Sequence, residues 1–347
     1  MSLERFWNAA LFDRTHGYYT RGTPIGANGD FITAPEVSQM FGELIGAWLV
    51  AAWRALDRPA PFVLAEFGPG RGTMMADILR TVRRLDTGFA KAVRVRLIET
   101  SDRLAAEQIE RLSRFDMAPR RVRRFSEIEP LPLLLVANEL FDAVAIRQYR
   151  FAGGVWRERR VGVIERGFAF VEAEPVAAEA LPIPVQAPPE GAILELSPLR
   201  DAIADEIGAA LAERSGAALI IDYGHARTGF GDTLQALRSN AFADPLAEPG
   251  SRDITSHVDF ERLAGALKRA GARVSPIVEQ GDFFVSLGLL ERAGQLGASA
   301  DAAGRADIEA AVRRLAGRGR GEMGALFKVV AASFPQPALP PFAATRT

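Results

Sequence analysis

The residues best placed to do chemistry lie in a segment where an acid precedes three glycines at alternate positions. Glu66 is followed by Gly68, Gly70 and Gly72, after an apolar run at 63–65. Glycine has no Cβ atom, so the backbone can turn tightly and approach a ligand closely. A strand that turns in this way into a helix is typical of a nucleotide site. The segment therefore predicts a site for a nucleotide-like cofactor.

The spacing of these residues distinguishes between classes of cofactor. The dinucleotide pattern G-x-G-x-x-G, begun at Gly68, needs a glycine where this chain has Thr73, and it does not include the preceding acid. An NAD site is therefore disfavoured. The pattern E-x-G-x-G-x-G instead resembles motif I of class I methyltransferases, whose loop lies beneath the methionine and ribose of S-adenosylmethionine (SAM). On this resemblance we assign Glu66, Gly68, Gly70 and Gly72 to binding of SAM.

A second acid closes the next predicted strand, at 93–99. Glu99 ends this strand and Thr100 follows it. The two oxygens of a carboxylate suit the two hydroxyls of a ribose, and nucleotide-binding sheets place an acid at this point. An acid here would also favour the start of a helix through the helix dipole. The glycine loop upstream favours the ribose interpretation, and we assign both residues to the cofactor.

Composition excludes several classes of function. The chain has 347 residues with 48% hydrophobic and 24% charged residues, as in an ordinary globular protein. It has no cysteine, and His16, His225 and His257 are far apart, so we expect no metal site. With a net charge of −1 we expect no nucleic-acid partner and no stable membrane insertion. Nothing in the sequence specifies an oligomeric state.

Alternating strands and helices must position these residues. Strands near 63–67, 93–99, 121–125 and 131–137 are separated by helical segments, which predicts a mainly parallel sheet in a Rossmann-like α/β fold. Alternation at 147–174 predicts inserted β-hairpins. An apolar stripe at 41–56 predicts a helix packed into the core. The segments 232–240 and 253–258 read only as a polar excursion, and 273–278 and 326–334 are predicted strands. The predicted parts are an N-terminal helical lid (1–58), a class I methyltransferase core (59–146 and 190–225), a β insertion (147–189), a C-terminal α/β substrate region with the closing core elements (226–335) and a tail (336–347).

Segments outside the sheet carry a more specific resemblance. The blocks that share it lie at 16–19, 29–43, 138–143, 221–224, 253–260, 280–283 and 323–329. In these blocks the chain resembles the MidA family of SAM-dependent methyltransferases, nearly end to end. Its mitochondrial members assist assembly of respiratory complex I by dimethylating an arginine on the quinone-site subunit. The resemblance implies SAM as cofactor and an arginine-containing protein, the quinone-site subunit of a bacterial complex I, as partner.

The end of the fourth predicted strand supplies candidates for the substrate. Methyl transfer from a sulfonium is an in-line displacement, so the site must chiefly hold the guanidine nitrogen in place. A carboxylate can bind a guanidinium bidentately and orient it. Glu139 is the first candidate, Asp142 could assist it, and Asn138 could face both substrate and cofactor. The alternative is that Asn138 and Glu139 only cap the following turn.

The N-terminal block has two interpretations. Thr33 and Glu36 match a capping box, which would account for Glu36 without a function. The resemblance favours a lid over the SAM pocket, with Phe31, Thr33 and Pro35 at the cofactor. The two interpretations are compatible.

A strand at 217–223 ends in further polar side chains. Asp222, Tyr223 and His225 follow it and could line the substrate channel, although such residues also form turns. His257 is better explained as support for a helix cap at Asp259.

The chain departs from the family in two ways. Asn240 stands where the family often has histidine, which puts proton transfer from that position in doubt. The chain begins almost at the first family block, which favours a bacterial cytoplasmic protein. The competing hypotheses are a non-catalytic SAM-binding assembly chaperone and, less favoured, an NAD-dependent oxidoreductase.

Overall fold

The computed structural model describes residues 1–21, 33–117, 119–181, 188–238, 241–335 and 339–342. The helices in these ranges are α1 Leu3–Phe12, α2 Tyr18–Arg21, α3 Ala34–Val37, α4 Gln39–Ala55, α5 Thr73–Leu85, α6 Thr87–Ala92, α7 Asp102–Leu112, α8 Pro198–Arg214, α9 Phe260–Arg269, α10 Gln280–Ser286, α11 Leu289–Gly297 and α12 Ala302–Ala316. The strands are β1 Phe62–Phe67, β2 Val93–Ile98, β3 Arg120–Val122, β4 Leu133–Asn138, β5 Arg147–Ala152, β6 Val155–Ile164, β7 Gly167–Val176, β8 Ile193–Leu196, β9 Gly216–His225, β10 Gln235–Arg238, β11 Ala241–Ala243, β12 Asp253–Thr255, β13 Val258–Asp259, β14 Arg273–Val274, β15 Val278–Glu279 and β16 Phe327–Phe334.

The central sheet has the order β14-β16-β9-β4-β1-β2-β3, with β13 paired to β9 and β15 paired to β16. Within this sheet, the neighbouring strands β3, β2, β1, β4 and β9 run parallel to one another, and β16 runs antiparallel to β9. All six residues of β4 and the first five of β1 are buried, as expected for parallel strands covered on both faces. The predicted α/β fold with a mainly parallel sheet is confirmed.

The strand order reverses at β1, because the chain passes from β1 to β2 and β3 on one side and then returns to β4 on the other. Open α/β sheets bind ligands at the carboxyl ends of strands beside such a reversal. The register pairs Phe67 with both Ile98 and Ala137, and Asn138 with Ile221. The side chains that follow these strands therefore emerge at one edge of the sheet.

Helix α4 packs into the core beside this sheet, as the apolar stripe at 41–56 predicts. Its Trp53 lies beside Phe62 of β1 and Phe89 of α6, and the three ring centroids are 4.8–5.9 Å apart. Aromatic pairs at these distances add to the stabilisation that comes from burial. This packing fixes the end of α4 against the start of β1.

The contacts of the chain divide it into two compact units. The first contains Met1–Phe31, Phe141–Ala202 and Arg227–His257, and the second contains Ile32–Leu140, Ile203–Ala226 and Val258–Thr347. The central sheet belongs to the second unit. The five-part division made from the sequence remains a prediction.

The first unit is built on antiparallel sheets. One has the order β7-β6-β5-β8, and these hairpins match the predicted β insertion. The other has the order β11-β10-β12 and forms where the sequence suggests only a polar excursion. Its strands have three or four residues each, too few for a period to be read from the sequence.

Proline explains a further difference between prediction and structure. A single strand is predicted at 273–278, but the structure has β14 and β15 with Pro276 between them. Proline cannot donate a hydrogen bond to the neighbouring strand, so pairing with β16 is interrupted. Within the described residues, no helix is long and apolar enough to cross a membrane.

Candidate active site

The glycine loop joins β1 to α5. Gly68, Gly70 and Gly72 have φ angles of 71°, 51° and 76°. Residues that have a Cβ atom rarely adopt these left-handed backbone conformations, so the path of the loop requires glycine at alternate positions. A Cβ atom at Gly68 would also lie 3.0 Å from Cδ1 of Leu140. The tight turn predicted from the spacing is present.

Glu66 lies beneath this loop, near the end of β1. Its side chain is buried with 2% exposure, and its Oε2 atom has no hydrogen-bond partner among the described residues. Burial raises the pKa of Glu66 from 4.5 to about 8. A buried carboxyl that lacks a partner is costly unless a ligand supplies one. A cationic donor at Oε2 would restore the charged form.

Glu99 lies directly after β2 and is held from both sides. Its Oε1 accepts from the backbone N–H of Ser101 at 2.7 Å, and its Oε2 accepts from Nε2 of Gln108 at 3.1 Å. Burial raises the pKa of Glu99, and these hydrogen bonds oppose that shift. Thr100 has an exposed side chain, and its carbonyl accepts from Arg121. Each oxygen of Glu99 can accept a second hydrogen bond, so a pair of hydroxyls could bind there.

Gln108 is a candidate site residue that the sequence did not reveal. It is fully buried on α7, and its Nε2 also donates to the carbonyl of Gly70 at 2.7 Å. Gln108 thus joins Glu99 to the glycine loop. Its Oε1 has no partner in the described ranges. The signal for it was an amide on the otherwise apolar face formed by Leu104, Ala105 and Leu112.

Asn138 and Glu139 follow each other at the end of β4. The Oε1 atom of Glu139 accepts from Nδ2 of Asn138 at 3.0 Å and from the backbone N–H of Ala34 at 2.9 Å. Glu139 has a φ angle of 49°, which is uncommon for a residue other than glycine. Oδ1 of Asn138 is buried and has no partner within the described chain. Glu139 does not cap the following turn with this contact; it holds the start of α3.

The predicted capping box at Thr33 and Glu36 is wrong. Thr33 makes no side-chain capping hydrogen bond to α3. Oε1 of Glu36 instead accepts from the hydroxyl of Thr73 at 2.6 Å. Capping is performed by Ser38, which starts α4 by accepting from the N–H of Met40. Glu36 therefore uses its Oε1 for the distant hydrogen bond with Thr73 in place of the local capping-box hydrogen bond with the backbone of Thr33.

The polar residues at the end of β9 lie on the same sheet edge as Glu139. Asp222 is fully buried and accepts from the N–H of Tyr223 at 2.9 Å. The ring of Tyr223 lies 5.5 Å from that of Phe327. Nε2 of His225 is 3.7 Å from Oδ2 of Asp259. The role of these residues in a substrate channel remains a prediction.

Asp259 caps α9 as predicted, because its Oδ1 accepts from the N–H of Arg262 at 3.1 Å. The backbone of His257 makes two contacts: its N–H donates to Oγ1 of Thr233, and its carbonyl accepts from Nη1 of Arg200. These contacts lie in the first unit. Support of this cap by His257 remains a prediction.

Asp142 belongs to the first unit, whereas Asn138 and Glu139 belong to the second. Its Oδ1 accepts from the N–H of Ala143, and its carbonyl accepts from Ser256 and Arg200. A contribution of Asp142 to substrate binding remains a prediction. Phe31 and the other residues at 29–32 of the family block 29–43 lie outside the described residues, as does Asn240.

The polar atoms left over at this edge match the chemistry of SAM. Three buried oxygens have no partner among the described residues: Oε2 of Glu66, Oε1 of Gln108 and Oδ1 of Asn138. The first belongs to a carboxyl group and the other two to amides, and each can accept a hydrogen bond. SAM presents an ammonium group, two ribose hydroxyls and an adenine amino group as donors. Glu66 and Asn138 could hold its methionine end, and Glu99 with Gln108 its ribose. When bound, SAM supplies an electrophilic methyl group on a sulfonium.

Comparisons with known proteins agree with this fit. The family described as "Putative S-adenosyl-L-methionine-dependent methyltransferase" matches residues 44–278. The mouse protein arginine methyltransferase NDUFAF7, mitochondrial, is 31% identical over 89% of this chain and 77% of its own length. The Drosophila melanogaster homolog of NDUFAF7 is 33% identical over 77% of this chain and 67% of its own length.

A solved structure extends the similarity to the whole fold. It is a crystal structure from Burkholderia thailandensis, described as a "likely methyl transferase" bound to S-adenosyl-homocysteine (SAH). It is 28% identical, covers 99% of this chain and 90% of its own chain, and has a TM-score of 0.86. The family, the relatives and this structure confirm the resemblance and the cofactor predicted from the sequence, and they leave the NAD hypothesis without support. The chain belongs to this family of SAM-dependent methyltransferases.

Proposed function

We propose that this protein methylates an arginine side chain of a protein substrate, the quinone-site subunit of a bacterial complex I, and so assists assembly of that complex. The observation that carries the arginine specificity is the similarity to mouse and fruit-fly proteins named protein arginine methyltransferases, over most of this chain. The complex I target follows from the MidA resemblance. The cytoplasmic location remains a prediction.

The position of Glu139 supports the choice of a guanidinium. It follows β4, next to β1 and the glycine loop, at the sheet edge where α/β proteins bind ligands. Its left-handed backbone is a conformation that costs about 1–3 kcal/mol and tends to persist at functional sites. The hydrogen bonds from Asn138 and Ala34 fix the direction of its carboxylate. A fixed carboxylate is suited to orienting a planar cation.

In the proposed reaction, a guanidine nitrogen attacks the methyl carbon as the carbon–sulfur bond breaks, and the sulfur leaves with the bonding electrons as SAH. The attacking nitrogen releases one proton to solvent water, so the product is a methylated guanidinium that keeps a single positive charge. Glu139 would bind the other nitrogens and draw the positive charge toward them, so that the attacking nitrogen keeps electron density. Positioning of this kind can lower the barrier substantially without any covalent contribution from the protein.

Calorimetric titration of the purified protein with SAM, SAH and NAD tests the cofactor assignment. We expect saturable binding of SAM and SAH and none of NAD. Gly70→Val should abolish binding because a branched side chain at a φ of 51° strains the loop and fills the space against the ligand. Unchanged SAH binding by a folded Gly70→Val protein would contradict the placement of the site.

Mass spectrometry of a recombinant quinone-site subunit, incubated with SAM and the protein, tests the reaction. We expect methylated arginine, and a decrease in rate on the order of 100-fold for Glu139→Gln. Glutamine can still accept from Ala34, so this variant removes the charge and keeps the hydrogen bond. Glu110→Gln, at an exposed position on α7, is the matched control. Binding of the subunit without any methylation would favour the assembly chaperone.

A further inference from the structure

Helix α3 is attached at both ends to residues that the sequence places far from it. At its start, the N–H of Ala34 donates to Oε1 of Glu139 at 2.9 Å. Near its end, Oε1 of Glu36 accepts from the hydroxyl of Thr73 at 2.6 Å. Glu139 follows β4, and Thr73 is the first residue of α5. The helix thus spans from the proposed substrate carboxylate to the cofactor loop.

The contact with Thr73 acts on the glycine loop directly. Thr73 follows Gly72, which is the last residue of the loop and has a φ of 76°. Arg71, within the loop, places its Nη1 3.8 Å from Oε2 of Glu36 and donates through Nε to Glu107 at 2.7 Å. Glu36 therefore contacts Arg71 within the loop and Thr73 directly after it.

The contact with Glu139 replaces a cap that α3 does not have. Thr33 makes no capping hydrogen bond, so the side chain of Glu139 satisfies the first N–H of the helix. Ala34 itself is fully buried. Because α3 has a single turn and a buried start, it cannot shift at one end without disturbing the other. The same contact fixes the carboxylate of Glu139.

We propose that Glu36 is a positioning residue that couples cofactor binding to the carboxylate of Glu139. Cofactor bound on the glycine loop restricts the motion of Thr73, and the hydrogen bond from Thr73 then restricts Glu36. Because Glu36 and Ala34 lie on the same short helix, α3, the restriction extends to the hydrogen bond between Ala34 and Glu139. The cofactor half of this inference rests on membership of the SAM-dependent family. The half that reaches Glu139 rests on the proposed function. The consequence is that bound cofactor further restrains the carboxylate of Glu139, which the proposed function assigns to the substrate.

A double-mutant cycle on Glu36 and Thr73, with SAH as the probe in calorimetry, tests the first half. Glu36→Ala and Thr73→Val should each weaken SAH binding about tenfold, because each removes one partner of a hydrogen bond to a charged group. The double variant should lose about tenfold rather than a hundredfold, because both changes break the same contact. Glu36→Gln should bind SAH nearly as the wild type does, since its amide oxygen can still accept from Thr73.

Thr87→Val is the matched control for Thr73→Val, because Thr87 is an exposed threonine at the first position of α6. It should bind SAH as the wild type does. Thr73→Val changes few atoms, so it keeps the test available if Glu36→Ala does not fold. Losses that multiply in the double variant, or wild-type SAH affinity in Thr73→Val, would overturn the coupling.

Hydrogen exchange measured by mass spectrometry tests transmission to Glu139. SAH should slow exchange in a peptide that contains the Ala34 amide in the wild type, and this slowing should disappear in Thr73→Val at saturating SAH. A purely structural role of the contact would lower stability without removing the response to SAH. Unchanged exchange at Ala34 when the wild type binds SAH would overturn the inference and leave the proposed function intact. Absence of SAH binding by the wild type would instead contradict the SAM-dependent function itself.

Discussion

Two carboxylates, one in each unit, show opposite ways of placing an acid away from water. Glu195 lies on β8 of the first unit; its Oε1 accepts from Gln148 and from the N–H of Thr233, and its Oε2 accepts from the Thr233 hydroxyl. Glu66 lies on β1 of the second unit, and its Oε2 has no partner among the described residues. Burial raises the pKa of both, but only at Glu195 do hydrogen bonds oppose the shift.

The difference separates a structural network from a ligand site. The network around Glu195 is complete without any ligand and fastens the segment at Asp232 and Thr233 to the hairpin sheet. Among the residues that the structure describes, none donates to Oε2 of Glu66, as expected where a ligand completes the hydrogen bonding. A buried acid therefore indicates a ligand site when it lacks hydrogen-bond partners, and burial alone does not indicate one.

The largest expected effect is the pH dependence caused by Glu66. Its pKa is about 8 in the folded protein against a usual 4.5, so the native state binds a proton in this range that the unfolded chain has released. The contribution to stability is complete below about pH 4.5 and is lost as the pH rises to about 8. Without ligand, the free energy of unfolding of the wild type should fall by a few kcal/mol from pH 5 to pH 8, relative to Glu66→Gln.

Urea denaturation of the wild type, Glu66→Gln and the exposed control Glu110→Gln at several pH values measures this difference. SAH should reduce the loss in the wild type at pH 8 by pairing with the ionised carboxylate. Parallel pH profiles for the wild type and Glu66→Gln would remove the contrast between the two acids.

The next effect concerns the completed network. Glu195→Ala removes the acceptor for Gln148 and Thr233, and it should lower the free energy of unfolding by about 2 kcal/mol. SAH affinity, measured by calorimetry on the folded variant, should not change. A large loss of SAH affinity in Glu195→Ala would show that this network is part of the ligand site after all.

A smaller effect is expected at the residue that joins Glu99 to the loop. Gln108→Ala should weaken SAH binding on the order of tenfold, because Glu99 and the carbonyl of Gly70 lose a shared donor. Glu110→Ala, two residues away on the exposed side of α7, is the control and should bind SAH as the wild type does. Equal affinities for the two variants would mean that Gln108 only fills space.

The smallest expected effect concerns the hydrogen bonds that cap the first turns of α3 and α4. Ser38 accepts from the N–H of Met40, so Ser38→Ala should cost about 1 kcal/mol of unfolding free energy. Thr33 makes no capping hydrogen bond, and Thr33→Ala should cost a few tenths of a kcal/mol at most. Thermal or urea unfolding of both variants distinguishes these values. A larger cost for Thr33→Ala than for Ser38→Ala would restore the capping box.

Features that depend on neighbouring residues could be predicted from the sequence. Strands β1 and β4 are mostly apolar runs, and β2 alternates apolar residues with Arg94 and Arg96 before Leu97. The turn at 68–72 has glycine at alternate positions. These features follow from local backbone and side-chain preferences. The antiparallel hairpins also follow from local alternation. The short strands β10 to β12 could not be predicted, because their sequences carry only weak strand signals and they are stabilised by pairing with one another.

The sequence by itself determined the glycine turn, the parallel α/β sheet and the acids at the ends of its strands, because chain order and side-chain period constrain these features. Only the tertiary structure decided which polar groups meet. The contacts of Gln108 with Gly70, Glu36 with Thr73, and Ala34 with Glu139 span 38, 37 and 105 residues. No local preference encodes such contacts; they form because packing of the core brings distant donors and acceptors together, and buried polar groups must then find a partner.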